Sequence, residues 1–100
     1  MILILGRARV HADQRDAALA AAAAMSAAST AEDGCLEYSF WVSPNDPNAI
    51  GLVERWESDD ALTAHMSAPH MATFITAIGA TLDGGMDVIR YDVSKAGPLF

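Results

Sequence analysis

The spacing of apolar residues along this chain switches from two to between three and four, then back, and does so twice. Few folds accept that order. Ile2 to Val10 alternates as a strand, with Ile2, Ile4, Ala8 and Val10 on one face and Leu3 and Leu5 on the other. Asp13 is placed to cap a helix, with Asp16 in its acidic first turn. The helix runs through Leu19, an alanine tract and Met25 to Thr30 or Ala31. Alanine is the strongest helix former and its small face packs closely on a sheet, so the tract reads as structural. Asp33-Gly34 then punctuates the chain, and Cys35 to Ser43 forms a second strand. Leu36, Tyr38, Phe40 and Val42 share one of its faces, and Glu37, Ser39 and Trp41 the other.

Pro44-Asn45-Asp46-Pro47-Asn48 is a loop, and Ala49 to Glu57 returns as a third strand, making a hairpin. Ser58-Asp59-Asp60 opens a short helix with acid at its positive end. Pro69 breaks that helix and suits the first turn of the next. In the next helix Met71, Phe74, Ile75, Ile78 and Leu82 make a buried stripe that Gly84-Gly85 ends, and Met86 to Val93 is the fourth strand. The order β-α-β-β-α-β predicts an α+β, ferredoxin-like fold: a four-stranded antiparallel sheet with helices on one face. Several strands are apolar on both faces, through Leu3, Leu5, Trp41, Met86, Val88, Ile89 and Val93. One helix layer covers only one face, and large bare apolar patches are rare on soluble monomers. A homodimer through the sheet face is therefore expected.

One hundred residues suit a single domain, 1–100. Thirteen acidic against six basic residues give a net charge of −7, with no cluster of Lys or Arg. That balance excludes nucleic acid and anionic membrane as expected partners and favours a neutral or apolar ligand. Cys35 is the only cysteine, so no internal disulfide forms. The apolar opening is short and lacks a basic leader, and the uncharged alanine-rich run, Ala17 to Ala31, is too short to span a bilayer. A cytoplasmic location is expected.

Two of the three histidines, His65 and His70, fall beside Trp56 in one segment, Glu54 to Met71. Histidine titrates near neutral pH, so the cluster marks a candidate site. Trp56 reads either as a core aromatic or as the wall of a pocket with its indole N–H free to donate. His65, on the short helix, is the candidate general base. His70 reads equally as a capping or hydrogen-bonded structural residue. Five residues separate the two histidines and no third ligand stands near them in sequence, so no metal site is expected. Glu54 is a carboxylate in an apolar strand, explained by an ion pair with Arg90 or by a buried base with raised pKa. Cys35 reads as a small packing residue.

Asp33-Gly34-Cys35-Leu36 with Tyr38, then Glu54-Arg55-Trp56-Glu57-Ser58, Ala61-Leu62, Ala64-His65, and Pro69-His70-Met71 with Phe74 carry a resemblance. With the element order, they make the chain resemble the antibiotic biosynthesis monooxygenase (ABM) domain family, notably the small bacterial quinol monooxygenases. The resemblance covers nearly the whole chain, but it says little about substrate, because one scaffold hosts several activities. It implies a dimeric α/β barrel with an apolar cavity in each subunit. It also implies a monooxygenase that oxidises a small quinol or phenol with molecular oxygen, without metal, flavin or other cofactor. Triplet oxygen reacts slowly with closed-shell molecules, so the substrate must become electron-rich by losing a proton. The protein then supplies a base, a donor to the developing anion, and dryness.

On that resemblance His65, Trp56 and Glu54 are the catalytic candidates. Tyr38, Phe40, Leu52, Leu62, His70 and Phe74 are the substrate-binding candidates, around a hollow between indole and imidazole. Two branches of the family fit less well. The haem-degrading branch has asparagine, tryptophan and histidine where this chain has Gly6-Arg7, His65 and Phe74-Ile75. The polyketide oxygenases have asparagine and tyrosine where this chain has Leu52 and Leu62. Two other readings stand beside the oxygenase. One is an isomerase of a small phosphorylated metabolite, for which Arg7, Arg9, Arg55 and Arg90 are the available cations. The other is a non-catalytic ligand-binding dimer module.

Overall fold

The computed structural model describes all residues, 1–100. Strand β1 (Ile2–Val10) leads through a single 3-10 turn (Ala12–Gln14) into α1 (Arg15–Thr30). The hairpin β2 (Cys35–Val42) and β3 (Ala49–Trp56) follows, then α2 (Asp59–Met66), α3 (Pro69–Gly79) and β4 (Leu82–Asp92). The four strands form one antiparallel sheet in the order β2-β3-β1-β4, so the first strand lies inside and the last at an edge. This is the expected α+β ferredoxin-like arrangement, with an added short helix. No helix is long and apolar enough to cross a membrane.

The core forms where one sheet face meets α1 and α3. Ile2, Ile4 and Val10 of β1, Ile50 and Trp56 of β3, and Tyr38 of β2 pack there against Ala18, Met25, Phe74 and Ile78. Ser26 of α1 donates to the Tyr38 carbonyl at 2.6 Å, tying helix to sheet. On the opposite face the register aligns Leu5 with Val53 and Ile89, and Leu3 with Tyr91. That face is bare: Leu5, Trp41, Ile89 and Tyr91 are all exposed, Trp41 at 63%. Strand β4 is exposed on both faces beyond Leu82.

Four local expectations are corrected. The cap expected at Asp13 is absent: the 3-10 turn comes first, and α1 starts at Arg15 without a side-chain cap. Leu36 leaves the face of Tyr38 and is 49% exposed, whereas Val42 keeps that face opposite Ile50 but is 50% exposed at the strand's end. Leu36 is the extra residue of a bulge, because Cys35 pairs with Trp56 while Glu37 pairs with Arg55. Helix α3 stops at Gly79 rather than at Gly84, with Ile75 left exposed. Thr81 turns its N–H and hydroxyl back to the Ile78 carbonyl, and Leu82 then pairs with Val10. Gly84, at φ +98°, absorbs the register shift that follows in β4. Finally, Arg90 does not reach Glu54; it pairs with Asp59 and Asp92.

One turn fixes the relation of α1 to the sheet. Glu32 donates to the Ser29 carbonyl, Cys35 to the Glu32 carbonyl, and Glu57 to the Gly34 carbonyl. Gly34 has φ +80°, and a Cβ there would lie 2.5 Å from that of Ala61. Gly84 has the same backbone demand with nothing within 4 Å. Gly84→Ala is expected to destabilise by about 1 kcal/mol, the cost of a left-handed non-glycine residue. Gly34→Ala carries that cost plus a steric one, so urea unfolding should rank it clearly below Gly84→Ala. Equal losses would mean that the Ala61 contact yields without cost.

Candidate functional site

Ser58 caps α2 by accepting from the Ala61 N–H, and Asp59 and Asp60 fill its first turn. His65 in its last turn thereby faces the sheet. Pro69 then starts α3 and delivers His70 one turn later beside it. The two imidazoles have centroids 6.0 Å apart. Both point at Glu32 in the α1–β2 turn: His65 Nδ1 lies 2.6 Å and His70 Nε2 2.9 Å from the same carboxylate oxygen, Oε2. Beyond His65, its Nε2 lies 3.9 Å from Glu54 Oε1, which accepts the Trp56 indole N–H at 2.9 Å. The polar line thus runs His70, Glu32, His65, Glu54, Trp56, and it joins α2, α3 and the α1–β2 turn to β3.

Burial gives this line its electrostatics. Burial pushes the Glu32 carboxyl up, but hydrogen bonds from His65 and His70, with their charge, outweigh it and hold it below its ordinary 4.5. At Glu54 burial wins over the Trp56 hydrogen bond, and its carboxyl is pushed above 4.5. Burial and the neighbouring Glu54 push the Tyr38 phenol far above its usual range. Burial likewise raises the Cys35 thiol, so Cys35 is no ready thiolate.

The candidates divide into two adjoining groups. Glu54, Trp56, His65 and Tyr38 are all buried, and His70 sits half-buried at the rim. Their rings touch: Trp56 and His65 have centroids 4.6 Å apart, and Tyr38 and His65 5.4 Å. The hollow expected between indole and imidazole is therefore filled, with Trp56 at 0% and His65 at 1% exposure. The indole N–H is not free either, being held by Glu54. The second group, Phe40, Leu52 and Phe74, lines an apolar slot between the sheet and α3. Gly6, Ile78, Met86 and Val88 are among its other lining residues, and its volume is about 40 Å³, room for a few waters. Gly6 makes the slot: a Cβ there would press Leu52 at 3.3 Å and Val88 at 3.5 Å. Leu62 packs against the core from α2 and does not line the slot.

Sequence reasoning missed Glu32 and Gly6. Glu32 stands directly before the Asp33-Gly34 turn, but 33 residues separate it from His65, and no local pattern links them. Gly6 interrupts the apolar alternation of β1, and that break was the available signal.

The profile described as "Antibiotic biosynthesis monooxygenase" matches residues 1–77. The chain belongs to the ABM family. Among relatives, "Putative monooxygenase YcnE" of Bacillus subtilis is 24% identical over 95 residues, spanning 95% of this chain and all of that one. The solved structure of Rv0793 from Mycobacterium tuberculosis is 27% identical with TM-score 0.89, covering 97% of this chain and 98% of that one. A Deinococcus radiodurans structure shares the fold with TM-score 0.93 at 20% identity, over 100% of this chain and 99% of its own. In this ABM chain the family profile spans every residue of the polar line and all of the slot except Ile78, Met86 and Val88.

Glu54 offers a direct check on the buried line. Its folded pKa lies above the unfolded 4.5, so the folded state holds this proton more tightly. The proton's contribution to stability is fully present below 4.5 and is lost as pH rises to the folded value. Glu54→Gln keeps an acceptor for the indole and carries no charge. Its stability relative to wild type, from urea unfolding at a series of pH values, should improve as pH rises across that window. A difference that stays constant with pH would mean that Glu54 ionises in the fold as easily as in water.

Proposed function

We propose that this ABM-family chain is a monooxygenase acting on a small, flat quinol or phenol that enters at the Gly6 slot, which widens beyond its resting volume of about 40 Å³ to admit the ring, with Glu54 taking the phenolic proton. The observation that carries this reading is adjacency: an entirely apolar slot lies one step along the same face of β3 from the buried Glu54–His65 pair, neither of which lines it. Leu52 lines the slot and Glu54 is the next residue on that face. Phe40, also in the lining, meets Tyr38 edge-on at 5.8 Å, and Tyr38 pairs with Glu54 across the strands. A carboxylate whose basicity burial has raised, beside a dry surface for an aromatic ring, suits abstraction of a phenolic proton. Trp56 acts as the positioning residue that holds Glu54, and His65 stands behind it to receive charge.

The chemistry balances without a further reductant. The deprotonated quinol passes one electron to oxygen, and the two radicals combine at a ring carbon to give a hydroperoxide. Loss of water from it leaves a carbonyl, which returns as a hydroxyl on the product quinone. One oxygen atom enters the ring; the other leaves as water with two hydrogens, and the substrate supplies all four electrons. The phosphorylated-metabolite reading has less support. Arg9 pairs with Asp46, Arg55 with Glu37, and Arg90 with Asp59 and Asp92, while the slot is apolar.

Oxygen uptake with a reduced benzoquinone or naphthoquinone tests the reading. Gly6→Val fills the slot and should raise KM or abolish turnover. Glu54→Gln should lower kcat by roughly 100-fold, the range for losing a general base. Wild-type turnover that neither change affects, or no turnover with any quinol, would end this proposal.

The proposal includes a second copy of the chain on the bare sheet face. Leu5, Trp41, Ile89 and Tyr91 form its apolar centre, and Arg7, Asp87, Glu37 and Arg55 supply charges of both signs around it. Such a face complements itself across a two-fold axis. Sedimentation should give a dimer at micromolar concentration, and Ile89→Glu should return the 10.6 kDa single chain. A wild-type protein that sediments as one chain would refute the pairing.

A further inference from the structure

We propose that Glu32, His65 and His70 form a binding site for one divalent transition-metal ion of borderline hardness, with zinc as its representative. The inference is independent of the quinol reading. The case against a metal in the sequence was the missing third ligand, and the fold supplies it. Glu32 comes from the α1–β2 turn, His65 from the end of α2 and His70 from the first turn of α3. One donor atom from each lies within 4.8 Å of the other two.

The donor geometry is near what an ion requires. Bonds of about 2.0–2.1 Å in a tetrahedral site put donor atoms roughly 3.3 Å apart. Glu32 Oε2 now lies 2.6 Å from His65 Nδ1 and 2.9 Å from His70 Nε2, so each contact opens by less than 1 Å. Two imidazole nitrogens and one carboxylate oxygen suit zinc, copper, nickel or iron, and not magnesium or calcium, which take oxygen. With Nδ1 on the ion, His65 carries its hydrogen on Nε2, facing Glu54 Oε1 at 3.9 Å. A carboxylate behind the second nitrogen of a ligating histidine is the usual support of such a ligand. Glu54 is held in turn by the Trp56 N–H.

Access is also present. The His70 and Glu32 side chains are 27% and 17% exposed, whereas His65 is sealed at 1%. His70 borders an apolar groove of about 190 Å³ between α1 and α3. An ion entering from that side meets His70 first and keeps its fourth position for water. Once bound, it ties the α1–β2 turn, α2 and α3 together at one point.

Titration of chelator-stripped protein with zinc, followed by calorimetry and thermal unfolding, tests the site, with cobalt(II) absorption reporting coordination. The expected result is one ion per chain, a higher unfolding temperature with zinc in molar excess, and visible bands of four-coordinate cobalt. Glu32→Gln and His70→Ala each remove a ligand at a partly exposed position and should weaken binding by roughly 100-fold or more. Glu54→Gln, one layer out, should weaken it about tenfold. His11→Ala should bind as wild type does. Circular dichroism of each variant separates loss of a ligand from loss of the fold. Absence of saturable zinc binding by the folded wild type would overturn the site, as would wild-type affinity in folded Glu32→Gln and His70→Ala. Adventitious zinc held equally by all variants counts against it in the same way.

Discussion

A row of polar groups drawn into an apolar core governs this molecule. Burying a carboxylate or an imidazole without partners costs several kcal/mol or changes its protonation. This chain buries both kinds and satisfies them with each other. Glu32 takes two histidine donors on one oxygen, and Glu54 takes the indole. Glu32, His65 and His70 come from three different segments and meet Glu54 and Trp56 of β3, so satisfying them fixes the α1–β2 turn, α2 and α3 against β3. Their mutual dependence also makes the row rigid, since moving one helix would strand two charged or polar groups. Directional contacts of this kind can specify which way two short helices dock where alanines and leucines would allow several packings.

Much of this was legible in the sequence, and the parts that were not share a cause. Strand and helix order followed from the period of apolar residues, because burial of one face imposes that period directly. Trp56, Glu54 and His65 emerged as candidates because each is unusual for its local setting, and Tyr38 through the family resemblance. What failed was knowledge of non-local partners. Arg90 was matched to Glu54 by strand face alone, yet two exposed aspartates, Asp59 and Asp92, lie closer to it. Leu36 was assigned by strict alternation, which a one-residue bulge defeats. Glu32 drew no attention because an acid before an Asp-Gly turn is ordinary until two histidines arrive from 33 and 38 residues away. The helix stripe was extended to Leu82 because three-four spacing cannot reveal that Thr81 closes the helix on Ile78.

Filling between Trp56 and His65 moves the room for a ligand instead of removing it. Small residues on a sheet face create concavity, and Gly6 does so in the central strand β1, directly between Leu52 of β3 and Val88 of β4. The slot therefore lies one residue along β3 from the polar row, with Met86 and Val88 of β4 as its outer wall. In the proposed reading a phenolic guest would rest its ring on Phe40, Leu52 and Phe74 and turn its oxygen toward Glu54. A uniformly polar guest would desolvate at a wholly apolar wall with nothing to pair it.

The same strand explains why the two faces of the sheet are not independent. β4 is an edge strand with exposed apolar residues pointing both ways, Met86 and Val88 toward the slot and Ile89 and Tyr91 toward the bare face. An edge strand without lateral pairing is the part of a sheet most free to shift. Packing a second copy against Ile89 and Tyr91 would restrain β4 from behind. It would thereby fix Val88 on the other side of the same backbone. In the proposed pair the wall of the slot would be held by contacts on the opposite face, and a chain alone would hold a looser slot.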